Sequence, residues 1–210
     1  MKKLTVIIFL AMIPAIFLLS KCNTGSTSES TSSKKDTTAA SAAPNYGGFN
    51  SAEEWGGHLV TIIGCGDCHT PKKMTSSGPV PDASLTLSGH PANMPVANVD
   101  RKALEKEGAF ASNDLTAWIG PWGISYAANI TSDSTTGIGN WSFEQFETCM
   151  RKGKFMGLEK ARDLLPPMPW QGFQNMTDGE MHAIFAYLKS TKPIRNVVPQ
   201  ADPPLLAQNH

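Results

Sequence analysis

The sequence predicts a mainly α-helical domain with long irregular loops between its helices. Three observations predict it. Three segments carry apolar residues at helical spacing behind recognisable start signals, the stretches between them lack the alternation of sheet strands, and 18 Gly and 15 Pro in 210 residues favour loops over long regular elements. Ser51 is the expected cap of a first helix over Ala52 to Ile63, with Trp55, Leu59, Ile62 and Ile63 on one face and Gly64 as its stop. Ser142 and Gln145 form a capping-box pair ahead of Phe143, Phe146 and Met150, a stripe that ends at Gly153. Thr177 and Glu180 form a second box, opening a helix that faces Met181, Ile184, Phe185 and Leu188 inward and closes before Pro193. Pro71 to Pro95 reads as turns alone, and Ala103 to Ile119 as room for a further helix or two. A stretch as long as Thr70 to Asp100 without regular structure is normally functional or folded around a bound group.

The N-terminal end reads differently. Lys2 and Lys3 precede the apolar run Leu4 to Leu19, so residues 1–21 are expected to be an export signal. Cys22 follows Leu19-Ser20-Lys21, which resembles the bacterial lipoprotein signal and makes Cys22 a candidate lipid anchor, tethering the protein to a membrane without spanning it. Residues 22–44 contain no aromatic and no large aliphatic side chain and are expected to be a disordered linker, leaving residues 45–210 as a single domain. The chain balances 18 basic against 18 acidic residues. Loss of the leader removes three lysines and no acid, so the exported product is mildly acidic and nucleic acid is not an expected partner.

Chemistry concentrates in Cys65-Gly66-Asp67-Cys68-His69, a C-x-x-C-H sequence of the kind that attaches c-type haem. This composition would produce the pattern by chance roughly 0.002 times per chain. Two cysteines one helical turn apart suit thioether bonds to neighbouring vinyl groups of one porphyrin edge, and the next residue, His69, can then offer an imidazole nitrogen to the iron. Competing readings are a thioredoxin-type redox pair, a zinc site or a structural disulfide between Cys65 and Cys68. The first wants a strand ahead of it and the second wants further ligands, whereas Cys149 stands alone and reads as a buried helical thiol.

The second axial position decides between an electron carrier and a reactive haem. Met150 and Met181 fall on apolar stripes and are assigned to the core, and His182 sits beside one. Met168 lies in Leu164-Leu165-Pro166-Pro167-Met168-Pro169-Trp170, where three prolines stiffen an extended loop that can present a thioether at a fixed place. Met94, His90 and Met156 remain alternatives at this point.

CGDCHTP at Cys65 to Pro71, NITSDSTTGIG at Asn129 to Gly139, Trp141 to Gly153, PPMPW at Pro166 to Trp170 and the closing helix over Thr177 to Lys192 together resemble class I cytochrome c. They are most similar to the haem domains of the cytochrome subunits that accompany bacterial membrane-bound alcohol and sugar-acid dehydrogenases. The resemblance runs from about Trp55 to Pro199, and its order of motifs is more specific than any one of them. It implies a cytochrome c-like helical domain around one covalent haem c, a loop methionine at Met168 as the partner of His69, and crossed first and last helices with Gly56 or Gly57 against Phe185 or Tyr187. Those subunits carry several attachment motifs where this chain has one, and Met74 to Ala109 matches them only in patches.

The function these readings imply is single-electron transfer between exported, periplasmic or membrane-associated redox proteins, by an electron carrier rather than an enzyme. Ile130, Leu164, Leu165, Trp170 and Phe173 are candidates for the wall of the haem site. Arg151, Lys152, Lys154, Lys160 and Arg162 form a local basic cluster that either docks an acidic partner or complements a helix end. The alternatives are a haem sensor whose Met168 dissociates to admit a small ligand, and a haem-free exported binding module.

Overall fold

Ser51 opens the first helix as its sequence predicts, accepting a 3.1 Å hydrogen bond from the Glu54 N–H. The computed structural model describes residues 45–96 and 98–205. The expected leader, Cys22 and the linker over 22–44 lie outside the described residues. Helix α1 (Ala52–Ile62) and helix α6 (Asp178–Ser190) cross and pack against each other. A Cβ on Gly56 would overlap the Ala183 carbonyl and approach Tyr187 Cβ to 2.8 Å, while one on Gly57 would lie 3.0 Å from the Tyr187 ring. The crossing thus uses Tyr187, as the resemblance implies, but meets Ala183 rather than Phe185.

Around this crossing lies the core: Leu59 and Val60 from α1, Phe146 and Met150 from α4 (Phe143–Lys152), Met181, Ile184 and Leu188 from α6, with Leu87 and Ile138 from loops. Met181 and Ile184 are at most 1% exposed, and burying such side chains contributes about 1.5–3 kcal/mol each. Both expected capping boxes form, and Gly153 ends α4 in the left-handed region at φ 63°. One position of the expected α1 stripe is wrong. Ile62 is 62% exposed and Val60 is buried instead, because the buried face is centred on Gly56, Leu59, Val60 and Ile63, and Ile62 turns away from it.

The loops hold more regular structure than the sequence suggests. Pro71 to Pro95 contains an antiparallel hairpin, β1 (Lys72–Thr75) with β2 (Gly78–Pro81), paired Lys72 to Pro81 and Thr75 to Gly78. Apart from its first residue each strand is exposed, so neither face is buried and no apolar alternation arises to signal it. The region expected to hold one or two helices gives one, α3 (Arg101–Glu107), and then a three-stranded antiparallel sheet of β3 (Phe110–Ala111), β4 (Ala117–Gly120) and β5 (Gly123–Tyr126). Strands β4 and β5 are largely buried on both faces and only four residues long, which again removes the alternation.

Beyond α6 the chain runs extended across this insert. Asn196 donates to the Ser88 and His90 carbonyls, Arg101 pairs with Asp202 at 2.6 Å and with the buried Glu105 at 2.8 Å, and Asp202 bridges Ile124 in β5. Among the described residues, no helix is long and apolar enough to cross a membrane.

Candidate functional site

Gly64, left-handed at φ 74°, redirects the chain from α1 into α2 (Cys65–His69), a single turn of helix. That turn places Cys65 and Cys68 three residues apart on one face of the helix. Both are half-buried free thiols, so the disulfide alternative is not formed. Cys65 packs against the core cluster, and burial pushes its thiol up to about 11. Burial raises Cys68 as well, with Lys72 opposing and Asp67 adding to the effect. No group of three or more His, Cys, Asp or Glu among the described residues is arranged to hold a metal ion, so the further ligands that a zinc site wants do not gather around this pair there.

His69 is buried, and its Nδ1–H donates to the Ala128 carbonyl at 2.7 Å. Burial holds the imidazole's pKa below its ordinary value, against the opposing effect of that hydrogen bond, so the ring is neutral at pH 7. With Nδ1 committed as the donor, Nε2 carries the lone pair and has no hydrogen-bonding partner among the described residues. No fully buried polar side-chain atom there lacks a partner, so Nε2 borders accessible space. The backbone is fixed too: the Gly89 N–H donates to the His69 carbonyl at 2.8 Å, and the Leu87 N–H to Thr70 Oγ1 at 3.0 Å.

Met168 lies in the proline-flanked loop ahead of α5 (Trp170–Phe173) and is half-buried against the same core cluster that Cys65 touches, together with Ile130 and Phe173. Leu164 N–H donates to the Gly153 carbonyl at 2.6 Å, and Gly153 packs under the Trp170 ring. A depression of about 220 Å³ on this loop is lined by Leu164, Pro166, Pro167, Met168, Pro169 and Trp170. The other sixth-ligand candidates are used or turned outward. His90 is fully buried with Nδ1 on Thr116 Oγ1 at 2.8 Å and Nε2 on the Met94 carbonyl at 2.9 Å, so neither nitrogen is free for a metal. Met94 is 38% exposed and Met156 48%.

Three of the five cations in the basic cluster, Arg151, Lys152 and Lys154, pair with nearby carboxylates. Arg151 pairs with Glu147 at 2.9 Å and Asp178 at 2.7 Å and donates to the Met176 carbonyl at 2.7 Å, binding α4 to the start of α6. Lys152 pairs with Glu159, Lys154 with Asp163, and Arg162 lies 4.0 Å over the Phe155 ring. Cys149 is a free thiol on α4, as expected, but half-buried rather than buried. His182 is exposed and stacks on Phe143 at 3.7 Å. Sequence reasoning missed Ala128, Gly89 and Ser125. The first two act through backbone groups, which no side-chain pattern reveals.

A free thiol pair on one helical turn, followed by a buried imidazole of fixed tautomer, defines a candidate attachment site for a c-type haem. The residues fit that group: the donors are a thiol pair and a neutral, oriented nitrogen. Among known proteins the chain is similar to a subunit of the nicotinate dehydrogenase of Pseudomonas putida KT2440, with 44% identity over 79 residues, 38% of this chain and 6% of that protein. It is 36% identical over 83 residues to the cytochrome c subunit of the quinone alcohol dehydrogenase of Gluconacetobacter polyoxogenes, covering 39% of this chain and 17% of that one. Over 85 residues it is 33% identical to the gluconate 2-dehydrogenase cytochrome c subunit of Pantoea cypripedii, covering 40% and 19%. The chain therefore spans less than a fifth of each of these relatives. No protein-family profile matches it.

Proposed function

We propose that residues 45–210 form a mono-haem c-type cytochrome that carries single electrons between exported or membrane-associated redox proteins and is not itself an enzyme. Cys65 and Cys68 would hold the haem through thioethers, with His69 Nε2 and the Met168 thioether as axial ligands. The group would supply a one-electron iron couple, which a soft neutral thioether biases toward the reduced form. The observation that carries the reading is the 2.7 Å bond from His69 Nδ1 to Ala128 O. It selects the tautomer, fixes the ring plane and leaves one nitrogen lone pair for a metal. The similarity to cytochrome c subunits of dehydrogenases supports the same reading and makes a dehydrogenase the first partner to test. Export by residues 1–21 and a lipid on Cys22 would place the domain in the periplasm at a membrane, with 22–44 as its leash.

Intact mass of the mature protein tests both halves at once. One haem adduct on the Cys65–His69 peptide, and a lipid on Cys22, are expected; a haem-free mass overturns the cytochrome reading. In the haem-loaded protein, Met168→Ala should abolish the near-infrared sulfur-to-iron band of the oxidised state, and an unchanged band removes Met168 as ligand. A rapid, large spectral shift with carbon monoxide on the reduced parent would assign a ligand-binding sensor instead of a carrier.

A further inference from the structure

The loop that carries Met168 is held on one side by the end of α4 and on the other by the sheet of the 110–126 insert. Among the described residues, the second attachment is one hydrogen bond from a side chain. Ser125, on β5 and 6% exposed, donates from Oγ to the Pro166 carbonyl at 2.6 Å. It also accepts, because the Trp122 indole N–H reaches the same Oγ at 3.1 Å. A serine hydroxyl has one proton to give. With Trp122 supplying a donor, that proton is directed outward to Pro166, two residues before Met168, and each bond polarises the other.

The arrangement is built rather than incidental. The six-membered ring of Trp122 lies against Gly120, where a Cβ would collide with it, so the ring's position is set by the β4–β5 turn. Strand β5 in turn is fixed by pairing of Ile124 with Asp202. Inside the loop the local bond is weak, since the Met168 N–H reaches the Leu165 carbonyl only at 3.3 Å.

We propose that Ser125, oriented by Trp122, is a positioning residue that keeps Met168 in place, so that the insert sheet sets how often the thioether leaves the iron. The proposal rests on Met168 being the ligand. Without the hydroxyl, the Pro166 carbonyl loses its buried donor and the loop opens more often, while the Cys65–His69 helix and the α1–α6 crossing keep every contact described above.

The test uses the haem-loaded protein and four variants: Ser125→Ala, Ser125→Thr, Trp122→Phe and Met168→Ala. The readouts are the rate of carbon monoxide binding to the reduced form, the near-infrared band of the oxidised form, and hydrogen exchange at the Met168 amide against that at Ile184. Ser125→Ala should bind carbon monoxide roughly fivefold to tenfold faster, the effect of losing one partly buried hydrogen bond, and should expose the Met168 amide while Ile184 stays protected. Ser125→Thr keeps the hydroxyl and should stay near the parent. Trp122→Phe leaves the hydroxyl undirected and should fall between them, which also decides the matter if Ser125→Ala fails to fold. Parent-like rates in Ser125→Ala and Trp122→Phe, with the band lost in Met168→Ala, overturn the positioning role and leave the ligand assignment standing. A band that survives Met168→Ala overturns the ligand assignment itself.

Discussion

The backbone of Gly56 rests directly on the carbonyl of Ala183, so that α1 and α6 meet main chain to main chain at one point. No other residue type fits there without separating the helices. Gly56→Ala should cost at least about 2–3 kcal/mol, an overpacking penalty with nowhere to relax because the obstacle is backbone. Gly172, inside α5 with nothing within 4 Å of an added Cβ, is the internal control. There the change to Ala should be neutral or stabilising by up to about 1 kcal/mol. Denaturant unfolding of the two variants side by side checks the contrast.

Arg151 should be irreplaceable by lysine. Its guanidinium serves Glu147, Asp178, and the Gln174 and Met176 carbonyls from one planar fork, which an ammonium cannot reproduce. Arg151→Lys and Arg151→Ala should each lower stability by about 1–2 kcal/mol, and the difference between them should be smaller than either loss. Thermal melts at low and high salt measure it, and a lysine variant as stable as the parent would reduce this residue to a surface charge.

Asp133, with Asp82, contributes to the acid limb of stability. Four donors, the backbone and hydroxyl groups of Thr135 and Thr136, converge on its Oδ1, and the Thr136 hydroxyl is the leading cause of a pKa lowered from 3.8 to about 2. The folded value lies below the unfolded one, so the contribution is complete above about pH 4 and disappears as pH falls toward 2. Asp133→Asn should show a shallower loss of stability across that window and match the parent's slope above pH 5. Chemical denaturation at half-unit pH intervals gives both slopes.

Cysteine alkylation separates the three described thiols. Burial pushes Cys149 from 9.0 to about 11, so at pH 8 it should react on the order of a hundredfold more slowly than an exposed cysteine. Its rate should climb about tenfold per pH unit up to pH 10. Cys65 and Cys68 should not react in haem-loaded protein at any pH, because their sulfurs are already carbon-bonded. Peptide mapping after iodoacetamide treatment reads all three, and alkylated Cys65 or Cys68 in coloured protein would contradict thioether attachment.

Helix caps were legible because their signal is local. Ser51, Ser142 and Gln145, and Thr177 and Glu180 all cap as their sequence spacing says, and each needs only residues three apart. The C-x-x-C-H pattern stands out for the same reason. What escaped detection depends on partners far along the chain. The hairpin at Lys72–Pro81 has no buried face to write an alternating pattern, and β4 and β5 are buried on both. His90 reads as a candidate ligand in the sequence, whereas Thr116 and the Met94 carbonyl occupy its two nitrogens, the first from 26 residues away. The carbonyl that orients His69 belongs to an alanine, whose identity carries no trace of the task.

That last contact spans 59 residues, while the thiol pair and the imidazole lie within five. Every residue of the proposed covalent attachment is therefore present in a peptide that has not folded, whereas the alignment of the imidazole arrives only once the intervening loop has closed, at an entropic cost that local chemistry does not bear. On the proposed reading assembly is split in time: attachment would run on an extended chain, whereas the electronic character of the centre would be a late product of folding.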